Sequence, residues 1–280
     1  VKIKMKLRKS PSKFEQIKML MTYLLFFIST TIYAYYLFWG LRILVKHYYG
    51  SLTTDPSFIY LLSSVSFANL EGTIMFNHPG TPLTVLGAIL LKFFSIIDPI
   101  SFNTSPENIF KNPNIYIHTL NISIQFLSFV VLVITSIDVW YRWGKLAGLV
   151  MLATPIWSLP LLMRSSFVLG AETLLVALCY GVICLWIECL YQSNKQSILL
   201  LLSFTCGLLL ATKITAIPIL IPAFFILKDW ADRKKYMFWT GISFLIGIIP
   251  LFFEPLKFRG FIAWSFRNIF RSGLYGSGSS

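Results

Sequence analysis

The feature that most constrains this chain is a series of long apolar runs separated by short clusters of lysine and arginine. A membrane span needs about 20 mostly apolar residues. Met19 to Leu44, Ile115 to Val139 and Phe167 to Leu190 each reach that length. The 280-residue chain is 56% hydrophobic and only 12% charged, against about 25% charged in a soluble domain. Its net charge of +13 does not argue for nucleic acid, because the cations sit in short runs between apolar stretches rather than along one soluble face. Cys179, Cys184, Cys189 and Cys206 all lie inside apolar segments without a CxxC pair, which argues against zinc and disulfides.

Residues 1–18 carry a basic run that ends at Lys18. The apolar run behind it is too long for the core of a cleaved signal peptide, so Met19 to Leu44 reads as a first span with its N-terminus inside. Residues 46–82 form a polar, turn-rich outer loop. Within it, Pro56 to Leu70 reads as an amphipathic helix at the membrane surface, with Phe58, Leu61, Leu62, Val65 and Leu70 near one face. Leu83 to Ile97 is apolar but short. Leu146 to Leu162 reads as a span interrupted by Pro155 and Pro160, Ser197 to Thr212 and Ile214 to Leu227 as two shorter runs around Lys213, and Tyr236 to Phe253 as the last. The total is about seven spans.

Orientation turns on Leu83 to Ile97. If this segment dips or lies at the surface, then Arg142, Lys145, Lys195 and the cluster Lys228, Arg233, Lys234, Lys235 share the side of the basic N-terminus, as the positive-inside rule requires. If it crosses, several of those cations face outward. The first arrangement is expected. It leaves Asp55, Glu71, His78, Arg164, Lys213, Glu254, Lys257 and Arg259 on the outer face, with Glu172 about two turns into its span on the same side. Ionisable groups in or at the edge of hydrocarbon are costly and mark functional sites by default.

The most specific string is Asn77-His78-Pro79-Gly80-Thr81-Pro82, where two prolines and a glycine fix a sharp turn. Before it come Thr54-Asp55-Pro56, the amphipathic helix, and Glu71-Gly72. A basic N-terminus, one span, a loop with an early acid, an amphipathic helix, an acid-Gly step and a His-Pro motif, in that order, resemble membrane glycosyltransferases of the GT-C fold. The resemblance is to the protein O-mannosyltransferase and lipid A aminoarabinose transferase group, glycosyltransferase family 39-like. Downstream, Arg142-Trp143-Gly144 is similar to the family's Arg-x-Gly step. Ala171-Glu172-Thr173-Leu174-Leu175 resembles its small-acid-Leu-Leu segment, and Ala211-Thr212-Lys213 its Ala-x-Lys hairpin. The chain departs from the family in reading His78-Pro79-Gly80 where His-Pro-Pro-Leu is usual, and Glu172 where Asp is more usual. Residues 272–280 read as a loop cut open, so a truncated C-terminus is expected.

The resemblance implies an all-α polytopic membrane protein, a GT-C type helical bundle over residues 19–280 behind a cytoplasmic N-terminus, most simply in the plasma membrane. It implies transfer of a sugar from a polyprenyl-phosphate donor to an acceptor glycan, lipid or protein on the outer face, with membrane lipids as the other partners and no nucleic acid. Asp55 takes the place of the family's catalytic acid, and a carboxylate can accept the acceptor hydroxyl's proton. Lys213 and Arg164 are the candidates to meet the leaving phosphate; His78, Glu71 and Glu172 complete the substrate-binding set. Each also has a plain structural reading: Asp55 as a helix cap, Arg164 snorkelling to headgroups, His78 as a turn residue. No cofactor is fixed; one loop acid and one intramembrane acid are too few to argue for a metal site, and a divalent metal stays open. Two other classes stay open: a transporter or lipid flippase, which would show an inverted repeat, and a non-catalytic membrane assembly subunit.

Overall fold

The computed structural model describes residues 56–72, 80–154, 169–191, 195–252 and 255–270, together with Leu24, Phe27, Ile28 and Thr31. Among them every regular element is helical and none is a strand. The helices are α1 (Pro56–Ala68), α2 (Thr81–Ile97), α3 (Pro106–Lys111), α4 (Pro113–Trp143), α5 (Lys145–Leu152) and α6 (Ala171–Tyr191). They continue with α7 (Lys195–Thr212), a 3-10 turn (Ile214–Ala216), α8 (Ile217–Ile226), α9 (Trp230–Gly247), α10 (Ile249–Phe252) and α11 (Pro255–Phe270). Two of them, α4 and α6, are long and apolar enough to cross a membrane. The expected first span Met19 to Leu44, the interruption at Pro155 and Pro160, and the C-terminal string 272–280 lie outside the described residues.

Local chemistry sets several boundaries. Proline stands at the first or second position of α2, α3 and α4, where its missing N–H costs nothing. Helix α4 stops at Gly144, whose φ of 101° lies in the left-handed region that glycine reaches without penalty. Helix α1 ends in a Schellman motif: Leu70 N–H donates to Phe67 O and Glu71 N–H to Ser66 O. Here the left-handed position falls to Leu70 (φ 62°), a non-glycine residue that is 91% exposed.

Three differences from the sequence expectation stand out. Helix α1 is not a surface helix with a polar face outward: Ser57, Ser63 and Ser64 are as buried as Leu61 and Val65. Ser64 Oγ donates to Tyr60 O within its own helix (2.8 Å), so its hydroxyl enters the core satisfied. Helix α9 begins at Trp230 rather than Tyr236, with Asp232 in its first turn, where an acid favours the helix dipole. Residues 255–270 form α11, for which the sequence reading set out no element.

Helices α4 and α6 run parallel. Ser128 Oγ donates to Thr173 O (3.3 Å) and Thr135 Oγ1 to Tyr180 O (3.1 Å), contacts seven residues apart on both helices. The N-terminus of α6 therefore meets the middle of α4. The earlier half of α4, through Tyr116, Leu120 and Ile124, builds a core with α1 and α2. Helix α7 runs antiparallel to α6, and α9 runs parallel to α7, with α8 returning between them: Tyr236 OH donates to Leu220 O (3.3 Å).

The α7–α9 seam is made of small residues. A methyl at Gly207 would fall 2.4 Å from Ser243 Cβ, and one at Gly247 would fall 2.5 Å from Ala211 Cβ. Gly207 and Ala211 on α7 thus face Ser243 and Gly247 on α9, each pair four residues apart. Ser243 Oγ crosses the seam to donate to Phe204 O (2.7 Å). Small residues at this spacing with interhelical hydroxyl bonds are how helices associate where the hydrophobic effect does not drive them together. The wider surface agrees. Buried polar groups are hydroxyls and amides (Ser128, Thr135, Ser203, Asn121), while Phe126, Ile134, Leu201, Phe225 and Phe238 are exposed.

Candidate functional site

Glu172 lies in the first turn of α6, and Lys213 is the residue on which α7 ends. An acid at a helix N-terminus and a cation at a helix C-terminus each complement the local dipole. The antiparallel packing of the two helices brings them together: Lys213 Nζ donates to Glu172 Oε1 at 2.6 Å. Lys213 holds an extended backbone (φ −156°, ψ 114°) between α7 and the 3-10 turn. Pro218 stands at the start of α8 and has no N–H to continue a helical ladder. The Lys213 side chain is 22% exposed and that of Glu172 42%. The pair is therefore reachable, not sealed in the core.

Several helix ends meet at this level. Leu169, two residues before α6, donates its N–H to Ser57 Oγ at the start of α1 (2.9 Å). Gly80, at the start of α2, lies so close to Tyr60 that a methyl there would fall 2.5 Å from the ring. Pro82 of α2 and Ala211 of α7 both approach Gly247 at the end of α9. Helix α2 thus reaches the ends of α7 and α9 at its first turn, while Gly87 lies against Leu120 in the earlier half of α4.

Of the sequence-derived candidates, the structure joins Glu172 and Lys213. Glu71 stands elsewhere: it closes the Schellman motif, about 20 Å along α1 from Ser57, with its side chain exposed. Asp55, His78 and Arg164 lie outside the described residues, as does Glu254. Arg259, in α11, is exposed. Among the described residues no three His, Cys, Asp or Glu side chains are grouped to hold a metal ion; the four cysteines are free thiols in α6 and α7.

The opposite end of α6 carries a second charged cluster, around the Arg142 that the sequence offers as a topology signal and as part of an Arg-x-Gly step. Arg142 Nε donates to Asp138 Oδ1 (2.6 Å), and its Nη2 donates to Glu188 Oε1. The guanidinium lies 5.2 Å from the Tyr191 ring centroid, and Trp143 Nε1 donates to Tyr191 OH (2.7 Å). One cation thereby neutralises an acid on its own helix and another on α6. The i,i+4 spacing of Asp138 and Arg142 is visible in the sequence, whereas Glu188, 46 residues on, is not. Lys145, Lys228, Arg233, Lys234 and Lys235 belong to this same end, because α5 starts there and α8 ends there as α9 begins. A cavity lined by Cys189, Leu199, Leu227, Lys228 and Asp232 joins the four helix ends.

Chemically, then, α6 and α7 are capped at one end by a reachable carboxylate–ammonium pair. At the other they carry a basic, aromatic-rich end braced by a partly buried arginine. A lysine paired with one carboxylate is held in place yet can share its remaining N–H groups with an anion. Comparison with protein-family models, curated proteins and solved structures gives no match to this chain.

Proposed function

We propose that the chain is a polytopic membrane glycosyltransferase of the GT-C type. It moves a sugar from a polyprenyl-phosphate donor to an acceptor hydroxyl on the outer face of the membrane. The observation that carries this reading is the Lys213–Glu172 pair at one end of α6 and α7, opposite the end that collects Arg142, Lys145, Lys228 and Arg233. With the basic end cytoplasmic, the pair belongs to the outer side, where a donor phosphate at the headgroup level can reach Lys213.

The rest of the reading rests on the sequence resemblance. Asp55 stands two positions before Ser57, His78 two before Gly80, and Arg164 five before Leu169. Ser57, Gly80 and Leu169 belong to the helix ends that meet near Glu172. In the transfer, Asp55 accepts the proton of the acceptor hydroxyl. The acceptor oxygen then bonds the anomeric carbon as the bond from that carbon to the phosphate oxygen breaks. The departing polyprenyl phosphate carries the new negative charge, which Lys213 and Arg164 offset. Glu172 holds the Lys213 ammonium in position, and His78 orients one of the partners. Glu71, about 20 Å along α1 from Ser57, belongs to the substrate-binding set through the resemblance alone.

Small-residue packing between α7 and α9 and the exposed apolar side chains support the membrane setting. The test is sugar transfer in isolated membranes from a radiolabelled polyprenyl-phosphate sugar. The chain should transfer label, and Asp55→Asn and Lys213→Ala should each lose most of it. Equal transfer by both variants contradicts the mechanism.

A further inference from the structure

Helices α8 and α9 do not close on each other along their full length. They leave an apolar groove of about 440 Å³ whose walls include Leu220, Phe224, Met237, Thr240, Gly241 and Phe244. From Tyr236 to Phe244 the α9 wall runs about 12 Å. Phe225 and Met237, on its edges, are exposed. At Gly241 an added methyl would meet nothing within 4 Å. Thr240 is buried in the wall.

One end of the groove is cationic. Phe224, a groove wall, carries the Arg233 guanidinium 5.2 Å from its ring centroid and the Trp230 ring edge-on at 6.2 Å. Arg233 Nε donates to Leu227 O (2.7 Å), which fixes the side chain at the groove's rim and leaves its outer N–H groups for an anion. Residues 228–235 hold four cations (Lys228, Arg233, Lys234, Lys235) against two acids (Asp229, Asp232). An apolar slot with a fixed arginine and a tryptophan at its mouth complements the shape and charge of an anionic lipid.

We propose that the α8–α9 groove binds an anionic phospholipid of the basic-side leaflet. One acyl chain lies against Gly241 and Phe244, and the headgroup phosphate meets Arg233. The headgroup end of this site lies at the opposite end of α7 from the Lys213–Glu172 pair, whereas the groove's far end, at Leu210 and Ile217, comes close to Lys213 in the chain. The site shares with the proposed function only the membrane setting.

The test uses the full chain purified in detergent micelles with equal amounts of dioleoylphosphatidylglycerol and dioleoylphosphatidylcholine. Native mass spectrometry reads which lipid is retained. The expected result is a preference of about tenfold for phosphatidylglycerol, kept by Arg233→Lys and by Lys213→Ala and lost in Arg233→Gln. Gly241→Leu fills the groove into open space, so it should lose the retained lipid while its lipid-free melting temperature is unchanged or raised through helix propensity. If Gly241→Leu fails to fold, Arg233→Gln alone decides. A preference that survives Arg233→Gln overturns the proposal. So does one that is lost in Lys213→Ala, which would put the headgroup at the Leu210–Ile217 end of the groove. Release of the chain from membranes by alkaline carbonate would overturn the membrane setting as well, whereas a membrane-retained chain without lipid preference overturns the groove alone.

Discussion

Lys213 Nζ meets Glu172 Oε1 at 2.6 Å, joining the residue on which α7 ends to the first turn of α6. Both ends of this contact are partly open to solvent, with Glu172 42% exposed. Pairs of that exposure contribute at most about 1 kcal/mol. Glu172→Gln is therefore expected to lower the melting temperature in detergent by no more than about 4 °C. A fall several times larger would make the pair a structural strut and remove it as a site reserved for a ligand.

The α7–α9 seam has no room for side chains larger than those it holds. Gly247→Ala would place a methyl 2.5 Å from Ala211 Cβ, and overpacking of this kind costs about 1–3 kcal/mol. Gly181 of α6 is a contrast on a helix of similar length, because a methyl there would meet Thr205 Cγ2 at an ordinary 3.7 Å. Gly181→Ala should be neutral or stabilising by up to about 1 kcal/mol through helix propensity. Thermal unfolding of the two purified variants checks the pair. Equal stability of both would mean that α7 and α9 do not approach as described.

Arg142 braces two helices at once. Removing it by Arg142→Met leaves Asp138 and Glu188, both mostly buried, without their cation. Loss of one partner of such a cluster costs about 3–5 kcal/mol, and solvent at the rim places this case at the low end. The triple variant Asp138→Asn, Arg142→Met, Glu188→Gln removes every charge together and should recover most of the loss. Denaturation midpoints of the single and triple variants decide; a triple variant as unstable as the single one would show that packing of the arginine stem, not its charge, holds the site.

Much of the helical layout was legible in the chain itself. Pro56 and the Lys213–Pro218 break mark boundaries because proline fixes φ and removes a donor, whereas the helix expected from Ile115 starts two residues earlier, at Pro113. The pairing of Glu172 with Lys213 was within reach of the sequence, since each is a charge flanked by apolar residues. The Arg142 cluster was not, because its second acid depends on the parallel register of α4 and α6. The buried serines of α1 misled the periodicity reading: a serine that bonds its own helix, as Ser64 does to Tyr60 O, counts as polar in a pattern but packs as a small core residue. Helix α9 was read as starting late because its polar first turn, Trp230 to Lys235, resembles a loop in hydropathy. Asp232 in the first turn complements the helix dipole and favours the helix through it.

Topology depends on α2, which reaches the ends of α7 and α9 at Pro82. If α2 does not cross, Ser101, just beyond its C-terminus, shares the side of Lys213. In a chain with the four native cysteines replaced, Ser101→Cys should react with a membrane-impermeant maleimide added outside intact cells. Asp229→Cys should react only after the membrane is opened. Labelling of Ser101→Cys only after opening would place α2 across the bilayer and contradict a shared side for Ser101 and Lys213.

The most direct test of the central claim is transfer of radiolabel from a polyprenyl-phosphate sugar in membranes containing the wild-type chain, Asp55→Asn or Lys213→Ala at matched expression. The account predicts transfer by the wild type, a loss of about 100-fold or more in Asp55→Asn for want of a base, and of at least about tenfold in Lys213→Ala for want of charge on the leaving phosphate. Transfer equal in all three, or absent from the wild type under conditions where the donor is consumed by other enzymes, would contradict it.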